Sequence, residues 1–342
     1  MITIDGSHGE GGGQLLRLSC ALSALTGKPV RLIQARARRD PPGLAPQHLA
    51  AVQAIAQLCK AETEGLALRT QEFIFRPGPI QGGEFRIDVG TAGSITLVLQ
   101  AVLPVALAAP TATSFYLVGG TDVKAAPPLD YYRYVFLPLL QRIGLEAHVT
   151  LVRRGYYPRG GGEVEVRVVP GRPGPLTVEV PGALQEIGGI AHAANLPAHI
   201  AERLAHTATQ ILAEFGRTHI QTQRFGHAEA IGAGGAIVLW ARTANTLLGG
   251  SEVAQRGVPA ERIAEHAAQA LRAELRAGTT IDVHAADQLL VYLALAGKSS
   301  HFTARTYTSH AQTTAWLVEQ FLPVRVIAVP SVTGQRIEVT PC

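Results

Sequence analysis

The sequence contains little that would suit an oxidising compartment or a membrane. Among 342 residues there are only three cysteines, Cys20, Cys59 and Cys342, and they lie too far apart for a metal-binding or redox motif. Such spacing excludes a disulfide scaffold and is typical of a reduced, intracellular protein. The most apolar run, 95–109, contains Gln100 and Pro104 and is shorter than the ~20 residues that a membrane span needs. It therefore predicts a buried helix.

Charged residues are also scarce, at 16%, whereas apolar residues reach 47%. This balance excludes a disordered chain and predicts a globular one, and the length favours two domains. The amino terminus lacks the basic segment and apolar stretch of a secretory signal peptide, so we expect a cytoplasmic protein without membrane contact. The net charge is +4. Six basic residues follow one another without an intervening acid: Arg17, Lys28, Arg31, Arg36, Arg38 and Arg39. They form either a solvated face or a surface for an anionic partner such as nucleic acid.

A glycine-rich loop, 5–13, follows the first predicted strand. Ile2 and Ile4 alternate as in a strand, and after the loop comes an apolar helix that ends at Gly27. Backbone amides in such a loop can approach phosphate oxygens closely. The loop lacks the Gly-Lys-Ser/Thr ending of a Walker A motif and the dinucleotide-binding pattern. Glu10 within it is interpreted as a ligand of a phosphate-bound metal ion, the alternative being an exposed turn acid.

The same order of strand, small-residue loop and apolar helix recurs at 85–100 and at 281–290, where Ile281 and Asp282 are predicted to end a strand. We therefore predict an internal repeat of α+β units of about 80 residues, each a small sheet backed by helices. Between 182 and 277 the order is strand, helix, strand, strand, helix. This pattern predicts a separate, smaller α/β domain inserted into a repeat-built domain of residues 1–181 and 278–342.

A histidine near the carboxyl end has a setting with chemical consequences. Residues 301–307 have the composition of a strand, Ser309 and Gln312 fit a capping box, and Pro323 stops the helix that follows. His310 is thus predicted at the first helical position, where the helix dipole disfavours imidazolium and free N–H groups attract phosphate. A neutral histidine facing a phosphate can attack phosphorus covalently. The alternative is a histidine on a solvated turn.

Motifs along the whole chain together resemble those of the RNA 3'-terminal phosphate cyclase family. The matching stretches are D-G-S-H-G-E-G-G-G-Q near 5, P-G-L-A-P-Q-H-L near 42, G-T-A-G-S-I-T-L-V-L-Q-A-V-L-P near 90, G-G-T-D at 119, A-P-P-L-D at 126, Y-P-R-G-G-G at 157, A-D-Q-L at 286 and T-S-H-A-Q-T at 308. The resemblance implies three translation-initiation-factor-like units, each a sheet plus two helices, and an inserted thioredoxin-like α/β domain.

The resemblance also implies a reaction in three steps. His310 attacks the α-phosphorus of ATP and releases pyrophosphate, and AMP then passes to the 3'-terminal phosphate of RNA. The neighbouring 2'-hydroxyl closes the 2',3'-cyclic phosphate and releases AMP. The implied cofactors are ATP and Mg²⁺ or Mn²⁺, and the implied partner is RNA with a 3'-terminal phosphate.

Roles of individual residues follow from the same resemblance. Glu10 matches the acid that coordinates the metal. The positions that match ATP contacts are Gln100, Pro127, His284, Ala285, Ala286, Asp287 and Gln288. The positions that match phosphate or RNA contacts are Arg17, Arg36, Arg39, Gln47 and His48. Two positions depart from the family pattern: Thr314 stands where Asn is common, and His284 stands where an aromatic residue is frequent.

Other classes of protein stay open at this point. A non-catalytic cyclase-like protein of ribosome assembly would bind RNA but would lack the histidine and much of the ATP site. An enolpyruvyl-transferase-like enzyme, built on similar repeats, would need neither the histidine nor the inserted domain. A plain RNA-binding protein would use the basic face but would leave Glu10, Asp287 and His310 without a role.

Overall fold

The computed structural model describes residues 1–342 and has the mixed α+β class that the sequence predicted. The helices are α1 (Gly13–Thr26), α2 (Pro46–Leu58), α3 (Ile95–Leu107), α4 (Leu129–Tyr131), α5 (Leu137–Arg142), α6 (His199–Leu212), α7 (Ala260–Ala277), α8 (Val283–Leu295) and α9 (Ser309–Phe321). A π-helical turn, Tyr132–Phe136, joins α4 to α5. The strands are β1 (Ile2–Asp5), β2 (Val30–Ile33), β3 (Glu62–Glu64), β4 (Phe73–Arg76), β5 (Gly83–Asp88), β6 (Thr113–Gly119), β7 (Glu146–Gly155), β8 (Gly162–Val169), β9 (Leu184–Ala194), β10 (Thr218–Phe225), β11 (Ala230–Ile231), β12 (Gly234–Thr243), β13 (Leu247–Val253), β14 (Ser300–Ala304), β15 (Val324–Ser331) and β16 (Gly334–Pro341).

Three sheets share one continuous hydrophobic core. Their strand orders are β1-β2-β4-β3, β11-β7-β8-β6-β5 and β14-β16-β15. Helices α1, α2, α3, α8 and α9 pack between them, and α3 is almost wholly buried, as the apolar run 95–109 predicted. No helix of the structure is both long enough and apolar enough to pass through a membrane. The shared core brings the start of α1, the start of α8 and the start of α9 into one region.

The fourth sheet has its own, smaller core. Its order is β10-β9-β12-β13, and α6 and α7 cover it. The sequence missed β13 because Gly249 and Gly250 lower the strand propensity of this segment. The structure explains both glycines: a Cβ at Gly250 would lie 2.5 Å from the carbonyl oxygen of Ala267 in α7, and one at Gly249 would lie 2.6 Å from the Tyr131 ring. Close packing of a helix on the sheet therefore requires glycine there.

Two local predictions were wrong. Ile281 and Asp282 do not end a strand, because the Asp282 side chain accepts hydrogen bonds from the backbone N–H groups of His284 and Ala285 and caps α8. The cap of α9 is Thr308, not Ser309: its hydroxyl accepts a hydrogen bond from the Ala311 N–H at 3.1 Å. His310 is consequently the second helical residue.

The capping box predicted for Ser309 and Gln312 is absent as well. Gln312 Nε2 donates to the carbonyl of Tyr307, and the hydroxyl of Ser309 donates to the carboxylate of Glu10. Strand β14 ends at Ala304 rather than at Tyr307. The hydroxyl predicted to cap the helix is thus free to hold the glycine-rich loop against the start of α9.

Candidate active site

His310 lies where the glycine-rich loop 5–13 meets the start of α9. Its Nδ1 is 2.7 Å from Gln14 Oε1, and its Nε2 is 3.1 Å from Glu10 Oε2. Ser309 also contacts Glu10 through its hydroxyl. The fold therefore brings together the predicted nucleophile and the predicted metal ligand, which are distant in sequence.

Gln14 is the residue of this site that sequence reasoning left without a role. Its Nε2 donates to Thr314 Oγ1 at 2.8 Å and to Asp287 Oδ2 at 3.5 Å, so its Oε1 is turned toward His310. With its proton on Nδ1, the neutral imidazole donates to this oxygen and keeps its lone pair on Nε2. The only signal in the sequence was that Gln14 closes the matching stretch D-G-S-H-G-E-G-G-G-Q.

The surroundings of His310 lower the pKa of its imidazole. Partial burial is the largest cause, and the positive charges of Arg17 and Arg39 and the ring of His284 add to it. The carboxylate of Glu10 acts in the opposite direction, but the sum of the other effects prevails. The ring is therefore neutral near pH 7, in agreement with its place at a helix amino terminus.

A cavity of about 370 Å³ opens beside His310. Five of the seven residues that were expected to contact ATP line it: Gln100, Pro127, His284, Asp287 and Gln288. Ala285 and Ala286 do not line the cavity, because they are buried in α8 on its core side. Gln14 and Arg17 line it as well, and so do Ser251, Glu252 and Val253 at the end of β13. The sequence could not place β13 here, since it belongs to the other core.

Several buried polar atoms of the cavity have no partner within the protein. They are Asp287 Oδ1, Gln288 Oε1 and Arg17 Nε. Burial, followed by the nearby carboxylate of Asp282, raises the pKa of Asp287 to about 8, so this side chain is a carboxylic acid at neutral pH. Burial lowers the pKa of Arg17 to about 10, and the guanidinium keeps its charge. Unsatisfied buried donors and acceptors suit a polar ligand, and the guanidinium of Arg17 favours negative charge in it.

The predicted phosphate-binding residues Gln47 and His48 support two loops: Gln47 contacts the loop 90–94, and His48 contacts the glycine-rich loop 5–13. Gln47 Oε1 accepts a hydrogen bond from the Ser94 N–H at 3.1 Å. His48 is buried under Gly13, and its Nδ1 accepts from the Ala45 N–H at 3.2 Å. Burial, with the charges of Arg17 and Arg36, lowers the pKa of His48 to about 3. His48 is therefore a neutral hydrogen-bond donor at Nε2.

Arg36 and Arg39 belong to the segment that leads from β2 to α2. Arg36 Nη1 donates to the carbonyls of Gly43 and Pro41, at 2.6 and 3.3 Å, and so stabilises the loop that contains it. Arg39 is exposed, and its Nη2 donates to the carbonyl of Glu10 at 3.3 Å. Only Arg39 of these two contacts the loop that carries Glu10. A phosphate-binding role for either residue stays a prediction.

The residues around His310 suit a metal ion that arrives with a ligand rather than a resident one. No cluster of three or more His, Cys, Asp or Glu side chains is arranged to hold a metal. Glu10 supplies a partly exposed carboxylate beside His310. Mg²⁺ is commonly held by one or two carboxylates, with phosphate oxygens and water as its other ligands. The single carboxylate fits that mode.

A neutral histidine beside a polar cavity is a feature common to enzyme active sites. Comparison with known proteins shows which family of enzymes this chain matches. The family model described as RNA 3'-terminal phosphate cyclase matches residues 8–328. A protein of that name from Nitrosospira multiformis is 54% identical, covering 95% of this chain and 92% of its own length. Proteins of the same name from Pyrobaculum neutrophilum and Methanopyrus kandleri are each 45% identical, covering 95% of this chain and 94% of their own lengths. The chain therefore belongs to the RNA 3'-terminal phosphate cyclase family of enzymes.

Proposed function

We propose that this enzyme uses ATP to convert the 3'-terminal phosphate of RNA to a 2',3'-cyclic phosphodiester, through a covalent adenylyl group on His310. The observation that carries the proposal is the setting of His310: a neutral imidazole with its Nδ1–H directed to Gln14, beside a cavity with unsatisfied polar atoms. The names of the relatives support the overall reaction, and this geometry supports the route.

In the first step Nε2 of His310 attacks the α-phosphorus of ATP. A nitrogen–phosphorus bond forms, the bond from the α-phosphorus to the bridging oxygen breaks, and pyrophosphate leaves. The ring gains positive charge, which the carbonyl oxygen of Gln14 stabilises through Nδ1–H. Glu10 contacts Nε2 in the structure, so its carboxylate must move aside as phosphorus approaches.

In the second step an oxygen of the RNA 3'-phosphate attacks the α-phosphorus held by His310. The nitrogen–phosphorus bond breaks, and the RNA 3'-phosphate becomes joined to AMP. In the third step the 2'-hydroxyl attacks the 3'-phosphorus, AMP leaves with the bridging oxygen, and the hydroxyl proton passes to solvent. The positive charges of Arg17 and Arg39 beside the site stabilise the phosphates in both steps.

We further propose that Glu10 helps to hold Mg²⁺ or Mn²⁺ when the nucleotide is bound. Such an ion would neutralise the charge of the triphosphate. The protein's part is to place one carboxylate next to His310, which it does through the hydroxyl of Ser309 and the loop 5–13.

We also infer the predicted division of the chain into a repeat-built domain, 1–181 and 278–342, and an inserted thioredoxin-like domain, 182–277. Three sheets that share one core support the first part, and the short strand β11 of the segment 182–277 pairs with β7 at the edge of one of them. The fourth sheet, with α6, α7 and its own core, supports the second.

The test of the proposed route is covalent labelling with ATP that carries label in the α-phosphate. Wild-type protein should retain the label in denaturant, lose it in mild acid and keep it in base, as a phosphoramidate does. His310→Ala and His310→Asn should show no label. His266→Asn, which changes an exposed histidine of α7, should label normally. A chelator should prevent labelling, and Mg²⁺ or Mn²⁺ should restore it.

The same experiment separates the alternatives. Labelling of His310→Ala at the wild-type level would refute His310 as the nucleophile, and His8 and His48 would then be examined. If the wild type forms neither the adduct nor a cyclic product, a non-catalytic RNA-binding role becomes the better interpretation. An enolpyruvyl-transferase-like reaction would form no adduct with ATP.

A further inference from the structure

A stacked pair of aromatic rings lies on the outer side of the glycine-rich loop. The rings of His8 and Trp316 have centroids 3.8 Å apart and are inclined by only 20°. His8 is exposed, whereas Trp316 is half-buried and packs against the main core. One face of the imidazole therefore rests on the indole, and no other ring of the protein stacks on His8. Neither residue has a part in the proposed chemistry.

The pair is close to the site where the RNA end must react. His8 is two residues before Glu10, and Trp316 follows His310 by six residues on α9. A helix rises 1.5 Å per residue, so Trp316 lies roughly 9 Å along the axis from the nucleophile. The neighbouring Gly9 packs on Thr313 of the same helix, which fixes the loop against α9. The pair therefore lies beside the loop and the helix that hold Glu10 and His310.

Positive charge borders the same surface. Hydrogen bonds from Ser7 lower the pKa of Asp5, and the charge of Arg38 adds to this effect, so Arg38 lies near the start of the loop that carries His8. Arg39 donates to the carbonyl of Glu10 in the same loop. An exposed ring beside arginine side chains is the combination that binds single-stranded nucleic acid, with bases stacked on the ring and phosphates near the cations.

We propose that the outer face of His8, supported from behind by Trp316, is the stacking site for the base of the 3'-terminal nucleotide of RNA. This inference rests on the proposed function, because it takes the 3'-phosphate to lie at His310. Stacking tolerates any sequence, since every base has a π-face. The pair would hold the terminal nucleotide while leaving its identity free, and the 2'-hydroxyl and 3'-phosphate would remain turned toward His310.

The experiment compares two short 3'-phosphorylated RNAs that differ only in whether the terminal nucleotide has a base. Their affinities are measured by fluorescence anisotropy without ATP, for wild type, His8→Ala, His8→Phe and the exposed control His227→Ala. Removing the base should weaken binding to wild type by roughly tenfold, within the range found for loss of one base stack. His8→Ala should lose the same factor with the normal RNA and nothing further with the abasic RNA. His8→Phe and His227→Ala should bind as wild type does.

Two results would overturn the inference. One is equal affinity of the wild type for the two RNAs. The other is a His8→Ala variant that loses affinity for both RNAs by the same factor and is adenylylated more slowly by that factor. His8 would then act by holding the loop that carries Glu10. The stacking inference is tested by binding without turnover. The proposed function is tested separately, by whether the covalent adduct and the cyclic product form. The two failures are therefore distinguishable.

Discussion

Asp287 shows how strongly one side chain can depend on its surroundings. The motif A-D-Q-L predicted a polar contact with ATP, and an ordinary aspartate would be ionised at neutral pH. Burial in α8 and the nearby carboxylate of Asp282 instead raise its pKa to about 8. A protonated Asp287 can donate a hydrogen bond into the cavity, which an ionised one cannot.

This raised pKa has a consequence for stability. Asp287 holds its proton in the folded protein while the unfolded chain releases it, so folding becomes less favourable as pH rises from about 4 to about 8. Asp287→Asn removes this effect. Its advantage in thermal stability over wild type should therefore grow with pH across that window, up to a few kcal/mol. Calorimetry at several pH values checks this, with the exposed Glu62→Gln as control. An advantage that shrank with rising pH would contradict the raised pKa.

Gln14 should matter for the orientation of His310. Gln14→Leu has a similar size but cannot accept the Nδ1–H, so the imidazole loses its preferred tautomer. Adenylylation should slow by roughly ten- to a hundredfold, because a catalytic imidazole in the wrong tautomer is inactive. Single-turnover labelling measures this rate, and the circular dichroism spectrum should stay unchanged. A variant that labels at the wild-type rate would show that the ring needs no acceptor.

At the scale of elements, the start of α1 is fitted to the side chains beneath it. A Cβ at Gly13 would overlap Nε2 of His48 and lie 2.9 Å from Nη1 of Arg17. At the adjacent Gly12 a Cβ would meet only Arg39 Nη2, at 3.6 Å. The two neighbouring glycines therefore differ in packing. Gly13 allows α1 to approach His48 closely, whereas a side chain at Gly12 would have room.

This contrast predicts opposite outcomes for two alanine substitutions. Gly13→Ala should destabilise the fold by about 1–3 kcal/mol, the usual cost of overpacking, and should also displace His48 and Arg17. Gly12→Ala should leave stability nearly unchanged. Urea denaturation of both variants measures the difference, and adenylylation rates show whether the site moves with it. Equal stability of the two would mean that His48 can give way without cost.

At the scale of the whole molecule, a buried charge network joins the two cores. Arg154 of β7 contacts Asp122 and Asp130, at 3.0 and 2.6 Å, and all three are almost fully buried. His192 of β9 faces both carboxylates, at 3.6 and 3.8 Å. Asp122 and Asp130 flank the segment that includes Pro127, one wall of the cavity. The network thus ties that wall to the smaller sheet.

Arg154→Met should therefore be severely destabilising. It leaves two carboxylates buried without their cation, and breaking a buried pair costs roughly 3–5 kcal/mol. Arg203→Met is the matched control, because it removes an exposed arginine that pairs with Glu261 on the surface. That variant should unfold close to the wild-type denaturant midpoint. If both variants lost stability equally, the network would be no stronger than a surface ion pair.

The sequence alone determined the family and the positions of the main helices, because local patterns of residues carry this information. Apolar periodicity located the main helices, the run 95–109 was recognised as buried, and the motifs identified the family. Local signals misled at the helix starts, where Asp282 and Thr308 act as caps through side-chain hydrogen bonds that composition does not distinguish.

Only the tertiary structure decided which side chains meet. Gln14 is 273 residues from Asp287 and 300 residues from Thr314, and its contact with both depends on α1, α8 and α9 sharing one core. The place of β13 in the cavity wall depends on close packing on both of its sides, where Gly250 lies against α7 and Gly249 lies against Tyr131. The pKa values of Asp287 and His48 follow from burial, which is a property of packing and has no local signature in the chain.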